Sequence, residues 1–165
     1  MTALLGVDLG ERRIGIAVAE DETAPARPLT TLRRARAPEA DADALRTLID
    51  AHGVTELVVG LPLEAAGQEG SQAAITRTWT DAIGTLLAVR VTLRDERLTS
   101  HLAETRLGPM KRGRSGGPPS KTQRDAYRAR VDREAAAIIL QDELDTRAGR
   151  RASITRTPDP QERPS

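Results

Sequence analysis

The sequence predicts an α/β domain built on one five-stranded mixed sheet flanked by helices. Two short apolar segments near the start of the chain are separated by a polar turn, which predicts a hairpin that a third strand extends. From residue 38 onward, helical and strand patterns alternate, which is typical of parallel strands joined by helical crossovers. The 165 residues hold one Trp, one Tyr and no Phe. They therefore suit one domain with a core of Leu, Ile, Val and Ala.

The first half of this fold is predicted from local patterns. Strands are expected at 4–9, Ile14–Glu20 and Arg27–Arg33. Gly10 and the polar segment after it form the turn of the first hairpin. Pro38 suits the first turn of a helix that keeps apolar spacing to His52, and Gly53 is a candidate for its C-cap.

The second half alternates strands with helices. The expected elements are a strand at Glu56–Leu61, a helix at 71–88, a strand at Val89–Asp95, a helix from Thr99 or Ser100 to near Gly108, and a helix at about 122–146. A mobile loop rich in Gly, Pro and basic residues is predicted at 108–123. The domain is expected to cover residues 1–148, and residues 149–165 are expected to form a disordered tail.

The composition narrows the classes of protein to which this chain can belong. It contains no Cys, so disulfides and thiolate metal sites are excluded, which fits a reducing compartment. No apolar run approaches the roughly 18 residues of a membrane span, and the N-terminus lacks a signal-peptide pattern. We therefore expect a cytoplasmic protein without membrane attachment.

Charge is distributed unevenly, although the formal net charge is only +1. Residues 39–69 carry seven acids and one base, whereas residues 106–133 carry nine bases and two acids, about +7 in total. A basic block of this kind is expected of a surface that binds a polyanion, although a solvated helix face and loop give the same pattern. The candidates for contacts to a phosphate backbone are Arg97, Lys111, Arg112, Arg114, Lys121, Arg124, Arg128 and Arg130.

Three acids interrupt or end apolar segments. Asp8 lies in the first strand, Glu96 follows the segment VRVTLRD, and Asp132 precedes the most apolar part of the last helix. A buried acid is costly unless it is paired or bound to a metal, and converging acids raise one another's pKa. A divalent cation such as Mg²⁺ or Mn²⁺ would remove that cost, and two ions can support phosphodiester cleavage.

Each acid also has an ordinary structural interpretation. Asp8 could cap the turn at Gly10 and Glu11, and Asp132 could pair with Arg128 one helical turn away. Asp95 and Glu96 could pair with Arg94 or Arg97 on the surface. Strand alternation places Asp95, rather than Glu96, on the face of Val91 and Leu93, so the acid that points inward stays open.

Four segments in order give the chain its family resemblance: VDLGERRIGIAVAE, ELVVGLPLEAAGQEG, VTLRDERLTS and RVDREAAAIIL. Over about residues 3–145 the chain resembles the YqgF/RuvX family of pre-16S rRNA nucleases and Holliday-junction-resolvase homologues. The resemblance implies an RNase H-like fold and Mg- or Mn-dependent cleavage of structured nucleic acid. It implies that Asp8, Glu96 and Asp132 are the metal ligands and catalytic residues, with two ions when substrate is bound.

The resemblance also implies the biological partner, which is precursor rRNA at the 5′ end of 16S rRNA or branched DNA. A two-fold homodimer would suit a four-way junction. The chain departs from the family in the loop LEAAG, where the usual polar residue and acid are missing, and at Ala135, where related resolvases carry a fourth acid. Glu134 is the nearest candidate for that role.

Two other functions fit parts of the pattern. An ATP-binding relative of the actin and sugar-kinase folds would share the Asp-x-Gly turn, but Glu11 would repel phosphate there. A non-catalytic nucleic-acid-binding factor in ribosome assembly would use the same basic surface, but it leaves the three acids unexplained.

Overall fold

The computed structural model describes residues 2–96, 99–113 and 115–155. The strands are β1 (Ala3–Leu9), β2 (Arg13–Ala19), β3 (Arg27–Arg33), β4 (Val54–Pro62) and β5 (Arg90–Glu96). The helices are α1 (Pro38–His52), α2 (Ser71–Leu87), α3 (Thr99–Leu107) and α4 (Lys121–Thr155). Every predicted element is present, with ends that differ by a few residues except at the end of α4.

The five strands form one mixed sheet in the order β3-β2-β1-β4-β5. β1, β2 and β3 pair antiparallel, since tight turns join them, whereas β4 and β5 extend the sheet in parallel after the crossovers α1 and α2. This arrangement confirms the predicted RNase H-like fold with its five-stranded mixed sheet.

Helices cover both faces of the sheet. Leu5 and Val7 of β1 face α1 and α2 in the larger core cluster, which also contains Trp79. Leu4 of the same strand faces α4, where it packs with Ala136 and other aliphatic residues. Because successive side chains of a strand point to opposite faces, Asp8 lies on the α4 side, as Leu4 does.

Two glycines allow α4 to lie unusually close to the sheet. A Cβ atom added to Gly6 would stand 2.5 Å from the backbone oxygen of Ala136, and one added to Gly15 would stand 2.0 Å from the backbone oxygen of Asp132. Only glycine fits at such a close approach to a backbone. The position of Asp132 over the sheet therefore depends on the absence of a side chain at Gly15.

α4 begins with a capping box and ends later than the sequence predicts. The Gln123 backbone N–H donates to Ser120 Oγ, and the Ser120 N–H donates to Gln123 Oε1. The helix continues to Thr155 instead of ending near 146, so residues 149–155, which were expected in the disordered tail, are helical. Residues 156–165 of that tail lie outside the described residues.

A network of ion pairs stabilises the later part of α4. Arg147 donates to Glu56 of β4, to Glu143 one turn earlier and to Glu22, while Arg151 donates to Glu22. Glu56 and Glu22 lie far away in the sequence, so helical periodicity alone does not reveal their pairing with α4. Among the described residues, no helix is long and apolar enough to cross a membrane.

Candidate active site

Asp8 is the central acid of the site. It lies on β1 facing α4, directly opposite Gly15 in the pairing with β2. Burial raises the pKa of Asp8 from 3.8 to about 8, with further contributions from the charges of Glu96 and Asp132. The Gly10 N–H donates to the Arg13 carbonyl at 2.8 Å, so it does not serve as a partner for Asp8 in a turn. Glu96 and Asp132 are thus both close enough to Asp8 for their charges to disfavour its ionised form.

Glu96 is the acid of β5 that faces this site. It is the last residue of the strand and lies on the α4 side, whereas Asp95 is exposed. Burial raises the pKa of Glu96, and a hydrogen bond from Thr99 opposes that rise. This settles the choice that alternation left open: the face of Val91 and Leu93, which Asp95 shares, packs against α1 and α2 and does not hold the site. Here helices cover both faces, and the α4 face is polar at this end of β5.

Asp132 reaches the site from α4 and is held by an arginine. Arg13 Nε donates to Asp132 Oδ2 at 2.7 Å, and both side chains are about a quarter exposed. The alternative partner, Arg128, is exposed and makes no ion pair with Asp132. Sequence reasoning missed this role for Arg13, although its position beside the turn after Asp8 was a signal. The pair joins residues 119 positions apart.

The space around Asp8 is kept free by glycine. Gly15 lies beside Asp8 on β2, and Gly60 lies on β4, whose parallel pairing with β1 brings it to the other side of Asp8. A Cβ atom added to Gly60 would stand 2.6 Å from Glu96 Oε2 and from Ile139 Cδ1. Side chains at these positions would fill the region between the carboxylates, so their absence leaves room there for a small ligand.

The donor set suits a hard cation. Three carboxylates offer only oxygen atoms, which are the ligands that Mg²⁺ and Mn²⁺ prefer. Within the described ranges, however, no three Asp, Glu or His side chains are arranged to hold a metal ion as they stand. Asp132 is directed to Arg13 instead. A cation held by all three acids would therefore compete with the guanidinium of Arg13 for the carboxylate of Asp132.

α4 does not supply a fourth acid to the site. Ala135 is fully buried in a cluster with Val131 and Ile138. Glu134, the nearest candidate, accepts a hydrogen bond from Arg106 of α3 at 3.3 Å. Glu134 therefore connects two helices and does not join the three carboxylates.

Six of the eight predicted phosphate-binding residues lie on an exposed surface next to the site. Lys111 and Arg112 are exposed on the loop before α4, and four bases are exposed on the first turns of α4: Lys121, Arg124, Arg128 and Arg130. Arg97 and Arg114 lie outside the described residues. The loop packs back on the helix, because Gln123 donates to the Arg112 carbonyl and Arg124 to the Pro119 carbonyl.

Tyr127 anchors the end of α3. Its hydroxyl donates to the Gly108 carbonyl at 2.8 Å, and its ring packs against the cluster between α3 and α4. This placement gives Tyr127 a structural role. His101 is exposed on α3, and His52 ends α1 as expected.

Comparison with known proteins places the chain in a family. Residues 2–146 match the RuvX family, described as Holliday junction resolvase. A relative from Chloroflexus aggregans is 42% identical over 144 residues, covering 87% of this chain and 94% of its own length. A relative from Anaeromyxobacter sp. (strain K) is 44% identical, covering 87% and 97%. Both carry the provisional name of pre-16S rRNA nuclease.

Among solved structures, Thermus thermophilus RuvC in complex with a Holliday junction substrate aligns with a TM-score of 0.48 at 16% identity. That alignment covers 90% of this chain and 97% of the RuvC chain. The assignment rests on the family match and on the curated relatives, whose lengths this chain covers almost completely. The chain thus belongs to the RuvX family.

Proposed function

We propose that this protein is a Mg²⁺- or Mn²⁺-dependent nuclease that hydrolyses phosphodiester bonds in structured nucleic acid, with 5′-end maturation of pre-16S rRNA as its cellular reaction. One observation carries the proposal: Asp8 of β1 is buried beside Glu96 of β5 and Asp132 of α4, and its burial, together with those two charges, raises its pKa to about 8. Such an arrangement lowers the stability of the metal-free protein, which is typical of a functional site, and a bound cation would neutralise the carboxylates. The names of the curated relatives support the rRNA substrate.

Asp8, Glu96 and Asp132 would hold the cations. The ions, when bound, would supply an activated water and neutralise charge on the phosphate. Asp8 is central because both other acids act on it, Glu96 accepts a hydrogen bond from Thr99, and Asp132 would turn from Arg13 to the cation. Exposed bases on the loop and on the first turns of α4 would hold the phosphate backbone, with Arg97 and Arg114 included in this proposal.

Cleavage of a precursor RNA tests the proposal. An RNA carrying the 5′ flank of 16S rRNA should be cut with Mg²⁺ or Mn²⁺ and remain intact with EDTA. Asp8→Asn should abolish cleavage and retain binding, whereas Asp142→Asn, at an exposed position on α4, should cleave as the wild type does. Products should carry 5′-phosphate and 3′-hydroxyl ends. Products with 2′,3′-cyclic phosphate ends, or full cleavage by Asp8→Asn, would contradict the proposal.

A second candidate is cleavage of branched DNA, which the description of the matched family favours. A four-way DNA junction in the same assay, at the same ion concentrations, separates the two candidates by the ratio of kcat/KM values. Light scattering of the protein alone and on the junction tests the expected two-fold dimer, since a monomer in both samples would exclude it. If cations support cleavage of neither substrate while RNA still binds, the protein is instead a non-catalytic assembly factor.

A fraction of the protein should co-sediment with immature small ribosomal subunits if rRNA maturation is its role. Such a result would also place the protein in the cytoplasm, where we propose that it acts.

A further inference from the structure

A second basic surface lies next to the carboxylates, on the side away from the loop 108–120. It is a groove of about 660 Å³ between the β1–β2 turn, the end of β3 and the start of α4. Its basic residues are Arg12, Arg13, Arg33, Arg34 and Lys121, and its acids are Glu11 and Asp125. The predicted basic block included only Lys121 of this set. Four arginines that are far from that block in the sequence therefore form the opposite wall.

The charges in this groove are not balanced by protein carboxylates. Arg13 is paired with Asp132. Among residues 2–96, 99–113 and 115–155, however, Arg12, Arg33 and Lys121 form no ion pair, and all three are exposed. With Arg13 paired with Asp132, the four other bases that line the groove still exceed its two acids by two. An anion that binds here would meet guanidinium and ammonium groups on both walls.

This arrangement of arginines also lowers the stability of the sheet. Arg13 and Arg33 are directly opposite each other in the antiparallel pairing of β2 with β3. Like charges at opposed positions destabilise a sheet, and side chains opposite each other share a face. A bound anion between the two strands would relieve that repulsion. The position of the pair at the sheet end nearest the acids points to a ligand that extends to the site.

The turn that carries Arg12 and Arg13 is held in a fixed position. Arg34 donates from its guanidinium to the Gly10 carbonyl at 2.8 Å and from its backbone N–H to the Arg12 carbonyl at 2.9 Å. On the other side, Thr31 donates to the Ala129 carbonyl of α4 at 2.5 Å. The two walls are therefore connected and ordered before any ligand arrives, which reduces the entropic cost of binding.

We propose that this groove binds the phosphate backbone of the substrate strand where it approaches the carboxylates. The inference rests on the proposed nuclease function, because that function identifies the anion as a nucleic acid. Arg13 connects the two regions, since it lines the groove and bonds Asp132. The groove and the loop 108–120 then lie on two sides of the start of α4, so the substrate contacts both flanks of this helix.

Binding of a labelled RNA hairpin, measured by fluorescence anisotropy in EDTA, tests the groove without any need for cleavage. The variant is Arg12→Ala/Arg33→Ala, because both side chains are exposed and their loss leaves the hydrogen bonds of Arg34 intact. The matched control is Arg27→Ala/Arg46→Ala. Arg27 lies at the far end of the same strand and pairs with Glu20, and Arg46 lies on α1. The melting temperatures of the two variants verify that both are folded.

The groove variant should bind about tenfold more weakly at low salt, and the slope of log K against log salt should fall by about 1.5, which corresponds to two lost phosphate contacts. The control variant should stay within about twofold of the wild type. Equal affinity and slope for the groove variant and the wild type would overturn the proposal, as would an equal loss in the control. A third outcome would also overturn the proposal: the wild type binds polyglutamate, the groove variant alone loses that binding, and the affinity of the groove variant for RNA is unchanged. That result would assign the groove to an acidic polypeptide.

These outcomes are separable from those of the nuclease proposal. If Asp8→Asn still cleaves RNA but the groove variant binds it weakly, the carboxylate assignment fails and the groove stands. If Asp8→Asn abolishes cleavage while the groove variant binds as the wild type does, the groove proposal fails alone.

Discussion

Replacing Asp8 with asparagine should stabilise the metal-free protein while it removes activity. In the folded state the pKa of Asp8 is raised from 3.8 to about 8, by burial first and then by Glu96 and Asp132. Below pH 4 the carboxyl is protonated in both the folded and the unfolded chain, so it carries no penalty there. Above that pH the unfolded chain releases the proton and the folded chain keeps it, so the free energy of unfolding falls as pH rises towards 8.

The size of the effect follows from the same shift. Each pH unit in this window costs about 1.4 kcal/mol, so the penalty reaches as much as about 4 kcal/mol at pH 7. Asparagine, which is neutral at every pH, avoids it. Asp8→Asn should therefore match the wild type near pH 4 and exceed its stability by a growing margin up to pH 7. At pH 7 the melting temperature should be higher by about 10 °C.

Urea denaturation at pH 4, 5, 6 and 7, followed by circular dichroism with EDTA present, measures this difference. Asp142→Asn is the control, since that residue is exposed and should show no pH-dependent gain. Saturating Mg²⁺ should stabilise the wild type by about 3 kcal/mol at one hundred times its dissociation constant. The ion should have far less effect on Asp8→Asn. A variant no more stable than the wild type at pH 7, or an equal response to Mg²⁺, would refute the reasoning.

Three further predictions concern the supports of the site. Gly15→Ala should cost about 3 kcal/mol in urea denaturation, because its Cβ would stand 2.0 Å from a backbone oxygen of α4 that cannot rotate away. Gly149→Ala, with open space around its Cβ, should be neutral or stabilising by up to about 1 kcal/mol, and equal losses in both variants would contradict the packing argument. Arg147→Met should cost about 3 kcal/mol, because it leaves buried carboxylates without their partner, and a loss below about 1 kcal/mol would show that the network is dispensable. Arg13→Gln should tighten Mn²⁺ binding without nucleic acid, as measured by electron paramagnetic resonance, since the guanidinium no longer competes for Asp132. Weaker Mn²⁺ binding would instead show that Arg13 supports the metal-binding form.

The strands and helices were predictable because their signals are local. The hairpin of β1 and β2, the first-turn proline of α1 and its C-cap glycine all appear where residue spacing and turn chemistry place them. Gly53 adopts a φ of 65°, which is the conformation that makes glycine the preferred residue at this cap. The end of α4 was not predictable in this way. Its last turns are stabilised by ion pairs of Arg147 and Arg151 with Glu22, more than 120 residues earlier.

The choice between Asp95 and Glu96 shows where alternation stops being informative. The pattern of β5 distinguishes two faces, but it does not say which face holds the site when helices cover both. Only the packing of α4 over the sheet makes the face of Glu96 the relevant one. The capping box of Ser120 and Gln123, by contrast, is a local signal that could have placed the start of α4 more closely.

The sequence by itself determined the elements, the mixed sheet and the family, and its motifs identified the three acids as candidates. The tertiary structure alone decided that Arg13 pairs with Asp132, that Gly15 lets α4 approach the sheet, and that arginines of β2 and β3 face Lys121 across a groove. The physical reason is the distance along the sequence between the residues that interact. Helix and strand patterns follow from neighbours a few residues apart, whereas charge pairing and close packing depend on which distant segments the fold brings into contact.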